Sequence, residues 1–197
     1  MAWFVARAYR KKLKCKRDPA KLRRTGLRSL TVRPRPGNSS QGLLVAGHSV
    51  FACALGRGGI SADKREGDGA TPMAAMRILG GYVRRGRFSL RSPLPLKAIS
   101  PTLGWCEVPG DRNYNRPVRM PYAASHERML RHDNLYDACI VLDWNIRPRL
   151  RGRGSAIFFH LARPGFTPTQ GCVAVTHAVM RRLLPLLSGR TVLTVKR

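Results

Sequence analysis

Two residues late in the chain have the side chains needed for nucleophilic acyl transfer, His160 and Cys172. His160 ends the run Ser155-Ala-Ile-Phe-Phe-His160, and Cys172 opens the run Gly171-Cys-Val-Ala-Val-Thr176; both read as strands. Residues 161–171 between them hold two prolines and read as a loop. If the two strands pair, that loop returns the thiol to the imidazole at one end of a sheet. A thiol beside an imidazole is the minimum equipment for covalent acyl transfer. In the first strand Ala156, Phe158 and His160 share one face, so the imidazole closes an apolar stripe. Gly171 lets the backbone come close to a substrate and aim N–H groups at an oxyanion. An imidazolium neighbour and surrounding arginines would draw the thiol below its ordinary pKa of about 8.5. Spacing alone equally allows a buried cysteine and an unrelated histidine.

The elements that must hold this pair are mostly short strands. The chain has 19 glycines and 14 prolines in 197 residues, which favours frequent turns over long helices. Arg28-Ser-Leu-Thr-Val-Arg33 alternates as a strand, and Leu43-Leu-Val-Ala46 and Val50-Phe-Ala-Cys-Ala-Leu55 flank Gly47-His48 as a hairpin with a solvated His48. Residues 57–71 form a glycine-rich loop. Its acids Asp63, Glu66 and Asp68 lack the ligand alternation and closing glutamate of a calcium loop, and no phosphate-cradling Gly-Lys-Ser/Thr is present. Residues 73–83 and 87–91 read as strands, and residues 92–101, with three prolines, as an irregular connection. Residues 104–117 are polar and turn-rich, long enough for a substrate-facing loop. His126 and His132 lie in a segment read as a short helix, with no metal-ligand spacing to Cys106 or Cys139.

Ala138-Cys-Ile-Val-Leu-Asp143 reads as a central strand with Cys139 buried in it. Arg147, Arg149, Arg151 and Arg153 recur at every second residue, which in an extended segment lines one face with guanidinium groups. Thr176 suits the N-cap of a helix over 177–187, and Thr191-Val-Leu-Thr-Val195 reads as a last strand. The expectation is a mainly β fold with one C-terminal helix.

With 37 Lys+Arg against 10 Asp+Glu, the formal charge is +27 and the isoelectric point about 11.6. That field favours polyanions such as nucleic acid, anionic surfaces or acidic wall polymers, without choosing among them. No zinc finger, RNP-like aromatic pair or helix-turn-helix supports a specific nucleic-acid reader. The five cysteines form no C-x-x-C and suggest neither a zinc ribbon nor a disulfide framework. No apolar run is long enough for a transmembrane segment. Residues 1–27 form a basic leader whose charges follow its short apolar start. That is the reverse of a secretory signal, so it reads as a poorly ordered extension before a domain spanning 28–197.

From about Arg28 onward the sequence resembles an L,D-transpeptidase catalytic domain of the YkuD type. Thr169-Gln-Gly-Cys-Val173 with the upstream strand ending in His160 is similar to the family's Ser/Thr-x-Gly-Cys signature. Gly67-Asp-Gly-Ala-Thr-Pro72 resembles its Thr-Pro segment. Tyr114-Asn-Arg-Pro117 and Arg151-Gly-Arg-Gly-Ser-Ala-Ile157 resemble a bacterial subgroup.

The resemblance implies a β-sandwich core and no cofactor or metal. Cys172 would be the nucleophile, His160 the base, and the N–H groups of Gly171 and Cys172 the oxyanion hole. The substrate would be peptidoglycan stem peptides, which lie in the periplasm or cell envelope, with transfer to an amine or hydrolysis by the same site. The family's usual arginine two residues after the cysteine is Ala174 here. Arg151, Arg153 or Arg163 would then take the substrate carboxylate. The usual glycine two residues after the Thr-Pro proline is Ala74. A non-catalytic protein that keeps the fold and binds polyanions is the alternative from another class.

Overall fold

A computed structural model describes residues 26–197 of the chain. The leader expected over residues 1–27 lies outside the described residues, except for its last two. The chain opens as a meander: β1 (Ser29–Arg35), β2 (Asn38–Ala46) and β3 (Ser49–Ala54) pair antiparallel in sequence order. Gly47, at φ 59°, turns the β2–β3 hairpin, with His48 exposed beside it. Leu30 and Val32 on β1 and Leu44 and Ala46 on β2 point to one buried face, as their alternation requires.

The loop after β3 carries a two-residue parallel pairing of β4 (Ile60–Ser61) with β5 (Thr71–Pro72). β6 (Ala75–Val83) follows, flanked by β7 (Leu96–Ala98). A separate antiparallel sheet comes next, with β8 (Leu103–Cys106) between β9 (Pro117–Arg119) and β10 (His126–Arg128). The chain then returns through β11 (Ala138–Leu142), β12 (Phe158–Leu161), β13 (Val173–Val175), helix α1 (His177–Leu183) and β14 (Val192–Val195). Thr176 caps α1 by accepting from the Val179 N–H at 3.3 Å, and a 3-10 turn at Leu184–Leu186 ends it short of Leu187.

The sandwich implied by the resemblance is replaced by a closed ring. The strands run β11-β12-β13-β3-β2-β1-β14-β6, and β6 pairs back onto β11. Closure rests on the nine-residue length of β6. Its first three residues pair with β14, and Ile78–Val83 pair with β11 across a bulge. Gly80 lies where a Cβ would stand 2.8 Å from the Pro95 carbonyl, so a side chain there would push the β7 approach away. Closing the ring leaves no free edge among its eight strands.

Two apolar clusters share the β11–β12 wall. Ile140, Leu142 and Phe159 face into the barrel with Leu30, Met76, Val173 and Leu193, and α1 adds Met180 and Leu183. Cys139, Val141 and Phe158 face outward and are covered by Trp105, Met129 and Tyr136 from the small sheet and its flanks. The small sheet is therefore a cap on one side of the barrel. Three local expectations change. His126 lies on β10 rather than in a helix, residues 87–91 turn rather than extend, and β12 begins only at Phe158 because Ala156 takes φ 51°. Among the described residues no helix is long and apolar enough to cross a membrane.

Candidate active site

β12 and β13 pair in parallel, with His160 opposite Ala174. Cys172 precedes β13 by one residue. Its Sγ accepts from the Phe158 N–H at 3.3 Å and donates to the Ala156 carbonyl at 3.2 Å. The turn that presents it is tightly specified. Thr169 Oγ1 accepts from the Gly171 N–H at 3.2 Å and donates to the Cys172 carbonyl at 2.7 Å. Gly171 sits at φ 128°, and a Cβ there would lie 2.8 Å from the Ala70 carbonyl, so only glycine fits. The Gly67–Pro72 stretch that carried the resemblance forms the other wall. Asp68 accepts from the Ala70 N–H and pairs with the buried Lys64 at 2.5 Å, and Thr71 Oγ1 accepts from the Gly56 N–H.

His160 is 4% exposed and packs its ring edge-on to Tyr136 at 5.2 Å. Its Nδ1–H donates to the Leu161 carbonyl at 2.8 Å, which leaves Nε2 with the lone pair. Cys172 and His160 are not hydrogen-bonded to each other, but both open into one cleft of about 460 Å³. Ala174 lines the same cleft beside them.

Burial governs both ionisations. It pushes the Cys172 thiol up to about 12, against the opposing Phe158 N–H and the Lys64 charge. It lowers His160 to about 4, with the Leu161 carbonyl opposing and the Arg131 charge reinforcing it. The thiolate expected from nearby positive charge is thus corrected: desolvation, with the Glu127 charge reinforcing it, outweighs the Phe158 N–H and the Lys64 charge, and the resting pair is thiol and neutral imidazole.

This has a consequence for stability. The unfolded chain protonates His160 near pH 6.5, while the native chain does so only near 4. Between those values the unfolded state holds more protons, so stability falls as pH falls, by on the order of 3 kcal/mol. Urea denaturation at pH 7 and pH 4.5 should show that loss, and His160→Gln should flatten it; an equal acid loss in both proteins would assign the effect elsewhere.

The arginines expected at the site separate. Arg163 lines the cleft, where it donates to Asp133 at 3.2 Å. Arg153 is exposed and paired to Asp63 at 2.6 Å, and Arg151 is exposed on a turn; neither lines the cleft. Pro148 and the positive-φ glycines Gly152 and Gly154 keep residues 147–153 from extending, so the alternating arginines do not form a strand-like row beside the cleft, and none of them lines it.

Sequence reasoning missed the other charged lining residues, Lys64, Glu66, Glu107, Glu127 and Arg131. Arg131 donates to Glu127 at 2.5 Å and to both oxygens of Asp133, and lies over the Tyr136 ring at 5.2 Å. Glu127 is raised by burial, with Arg131 opposing. One signal was available: the chain has only three glutamates, Glu66, Glu107 and Glu127, and all three line this cleft. With Lys64, Arg131 and Arg163 they give it a formal charge near zero in a +27 chain.

Asn115 ties the cap to this wall. Its Oδ1 accepts from Trp105 Nε1 at 2.9 Å and from the Ala156 N–H at 3.1 Å, and its Nδ2 donates to the Trp144 and Asn145 carbonyls. Tyr114 beside it donates its hydroxyl to Glu66.

A family model for the L,D-transpeptidase catalytic domain, YkuD, matches residues 39–195. Neither the curated proteins nor the solved structures contain a match to the chain. The matched span begins in β2, ends in β14 and includes every residue of the cleft, so the chain belongs to the YkuD family of L,D-transpeptidase catalytic domains.

Proposed function

We propose that the protein is a cysteine acyltransferase acting on peptidoglycan stem peptides. Cys172 is the nucleophile and His160 the general base and acid. The observation that carries this reading is the opening of one thiol and one imidazole, with its Nε2 lone pair uncommitted by the Nδ1 tautomer, into a single cleft. With the thiol near 12 and the imidazole near 4, a standing thiolate–imidazolium pair is unpopulated. The thiol proton therefore passes to Nε2 as sulfur bonds to the carbonyl carbon.

The tetrahedral oxyanion is received by the N–H groups of Gly171 and Cys172, the former giving up part of its bond to Thr169. Collapse breaks the C–N bond, and the imidazolium returns its proton to the departing D-alanine amine. An amine from a second stem then attacks the thioester, its proton goes to His160, and sulfur leaves to be reprotonated. Water in place of the amine makes the same cycle a carboxypeptidase. Carbapenem-type β-lactams acylate the cysteine of this family. Intact-mass analysis should therefore show one adduct per chain, absent from Cys172→Ala. An unmodified wild-type chain that binds acidic polymers with strong salt dependence would overturn the enzyme reading in favour of a binding protein.

A further inference from the structure

The loop between β11 and β12 carries a surface that the acyl-transfer chemistry does not use. Asn145 pins it, accepting from the Leu150 N–H at 2.8 Å and donating to the Leu150 and Gly154 carbonyls at 2.9 Å. The loop is thus held in one shape, and that shape presents Leu150 54% exposed beside an exposed Pro148. Holding a leucine out in water brings no gain to the isolated protein. Arg147, Arg149 and Arg151 neighbour it in sequence, and Asn115, bonded to the Trp144 and Asn145 carbonyls, brings Arg116 alongside the loop.

Among the described residues none of these four arginines meets a carboxylate, whereas Arg131, Arg153 and Arg163 each do. The Arg149 guanidinium is held below the usual arginine range, by desolvation first and then by the like charges of Arg116 and Arg147. Arg149 therefore has two like charges near it, and among the described residues no carboxylate pairs with any of the three.

We propose that loop 146–151, with Arg116 beside it, docks the protein on an anionic phospholipid surface, the arginines on the phosphate headgroups and Leu150 among the upper acyl chains. A soluble polyanion would reward the arginines but not the apolar tip; the boundary between headgroups and acyl chains rewards both. Docking there would leave the cleft open, since none of these residues lines it. It is independent of the acyl-transfer reading, because it requires neither Cys172 nor His160.

The test sediments the full-length protein with vesicles of phosphatidylglycerol mixed into phosphatidylcholine, and with phosphatidylcholine alone, at about 0.15 M salt, where distant charges are screened. Reversing Arg116, Arg147 and Arg149 to Glu together should weaken binding to the anionic vesicles about a hundredfold. The same charge change at Arg33, Arg35 and Arg190, exposed on and around β1 and β14, should cost far less. Leu150→Ser should weaken vesicle binding several-fold and leave binding of inorganic polyphosphate unchanged. Equal losses from the two triple variants would reduce the effect to net charge and overturn the proposal. So would a Leu150→Ser protein that binds vesicles as the wild type does, which would assign the patch to a soluble polyanion.

Discussion

Cys172→Ala is expected to lower D-alanine release from stem tetrapeptides by about four orders of magnitude or more, to the level of the blank. Among the described residues no second thiol lines the cleft, since those at 53, 106 and 139 lie elsewhere. The cost in stability should be small by comparison. The thiol makes one hydrogen bond to the Ala156 carbonyl and accepts one from Phe158, and its loss removes a single sulfur from a cap-side cluster. Together these amount to about 1–2 kcal/mol. Activity and folding therefore separate, and a thermal melt run beside the turnover assay reads both. The double variant with His160→Gln should be no slower than Cys172→Ala alone, because groups acting in one step are not additive. Turnover surviving in Cys172→Ala would remove the nucleophile assignment.

The largest structural effect is expected at Asn115. Asn115→Leu leaves Trp105 Nε1 and the Ala156 N–H without their acceptor, and the carbonyls of Trp144 and Asn145 without their donor. Each buried orphan costs about 1–3 kcal/mol. Asn115 also sits at φ 53°, a region asparagine tolerates and leucine does not. A loss of roughly 4 kcal/mol follows, about 10 °C in melting temperature for a domain of this size. Asn115→Asp keeps the shape and both acceptor bonds but turns an oxygen toward two carbonyls, so it should fall nearly as far. Turnover should drop in the folded fraction too, since the Ala156 carbonyl that receives the thiol moves with its own N–H. A loss under about 1 kcal/mol in both variants would show that the cap is tied to the barrel elsewhere.

Much of the candidate site's arrangement was legible because its signals are local. Short, wholly buried apolar runs mark β12 and β13, and a glycine before a cysteine marks the turn. What stayed hidden depends on partners distant in sequence. The parallel sense of the β12–β13 pair follows from a connection that returns the chain to the starting end of β12 before β13 begins. The closed ring depends on β6 serving two neighbours. Residues 125–137 imitate a helix in part because Glu127 and Arg131 stand four apart, yet the pair forms between a strand and the segment after it. Nothing about Ala156 announces a positive φ. The direction of the Cys172 shift is set by burial at the cap-side cluster, where Trp105, Met129 and Tyr136 lie up to 67 positions upstream of the thiol. Arg131 was passed over for arginines nearer the cysteine in sequence, and among those only Arg163 reaches the cleft.

The even charge of the cleft lining has a bearing on inhibition. Anionic polymers will gather on the outer surface, drawn by an excess of +27, and yet find no excess of positive charge where the thiol lies. A zwitterionic peptide, with both an ammonium and carboxylates, meets opposite charges on both walls. Added polyanion should therefore slow the approach of substrate by crowding the exterior without competing for the thiol, and raising salt should relieve it. The molecule can sit in a dense field of negative charge without its cleft being occupied by it.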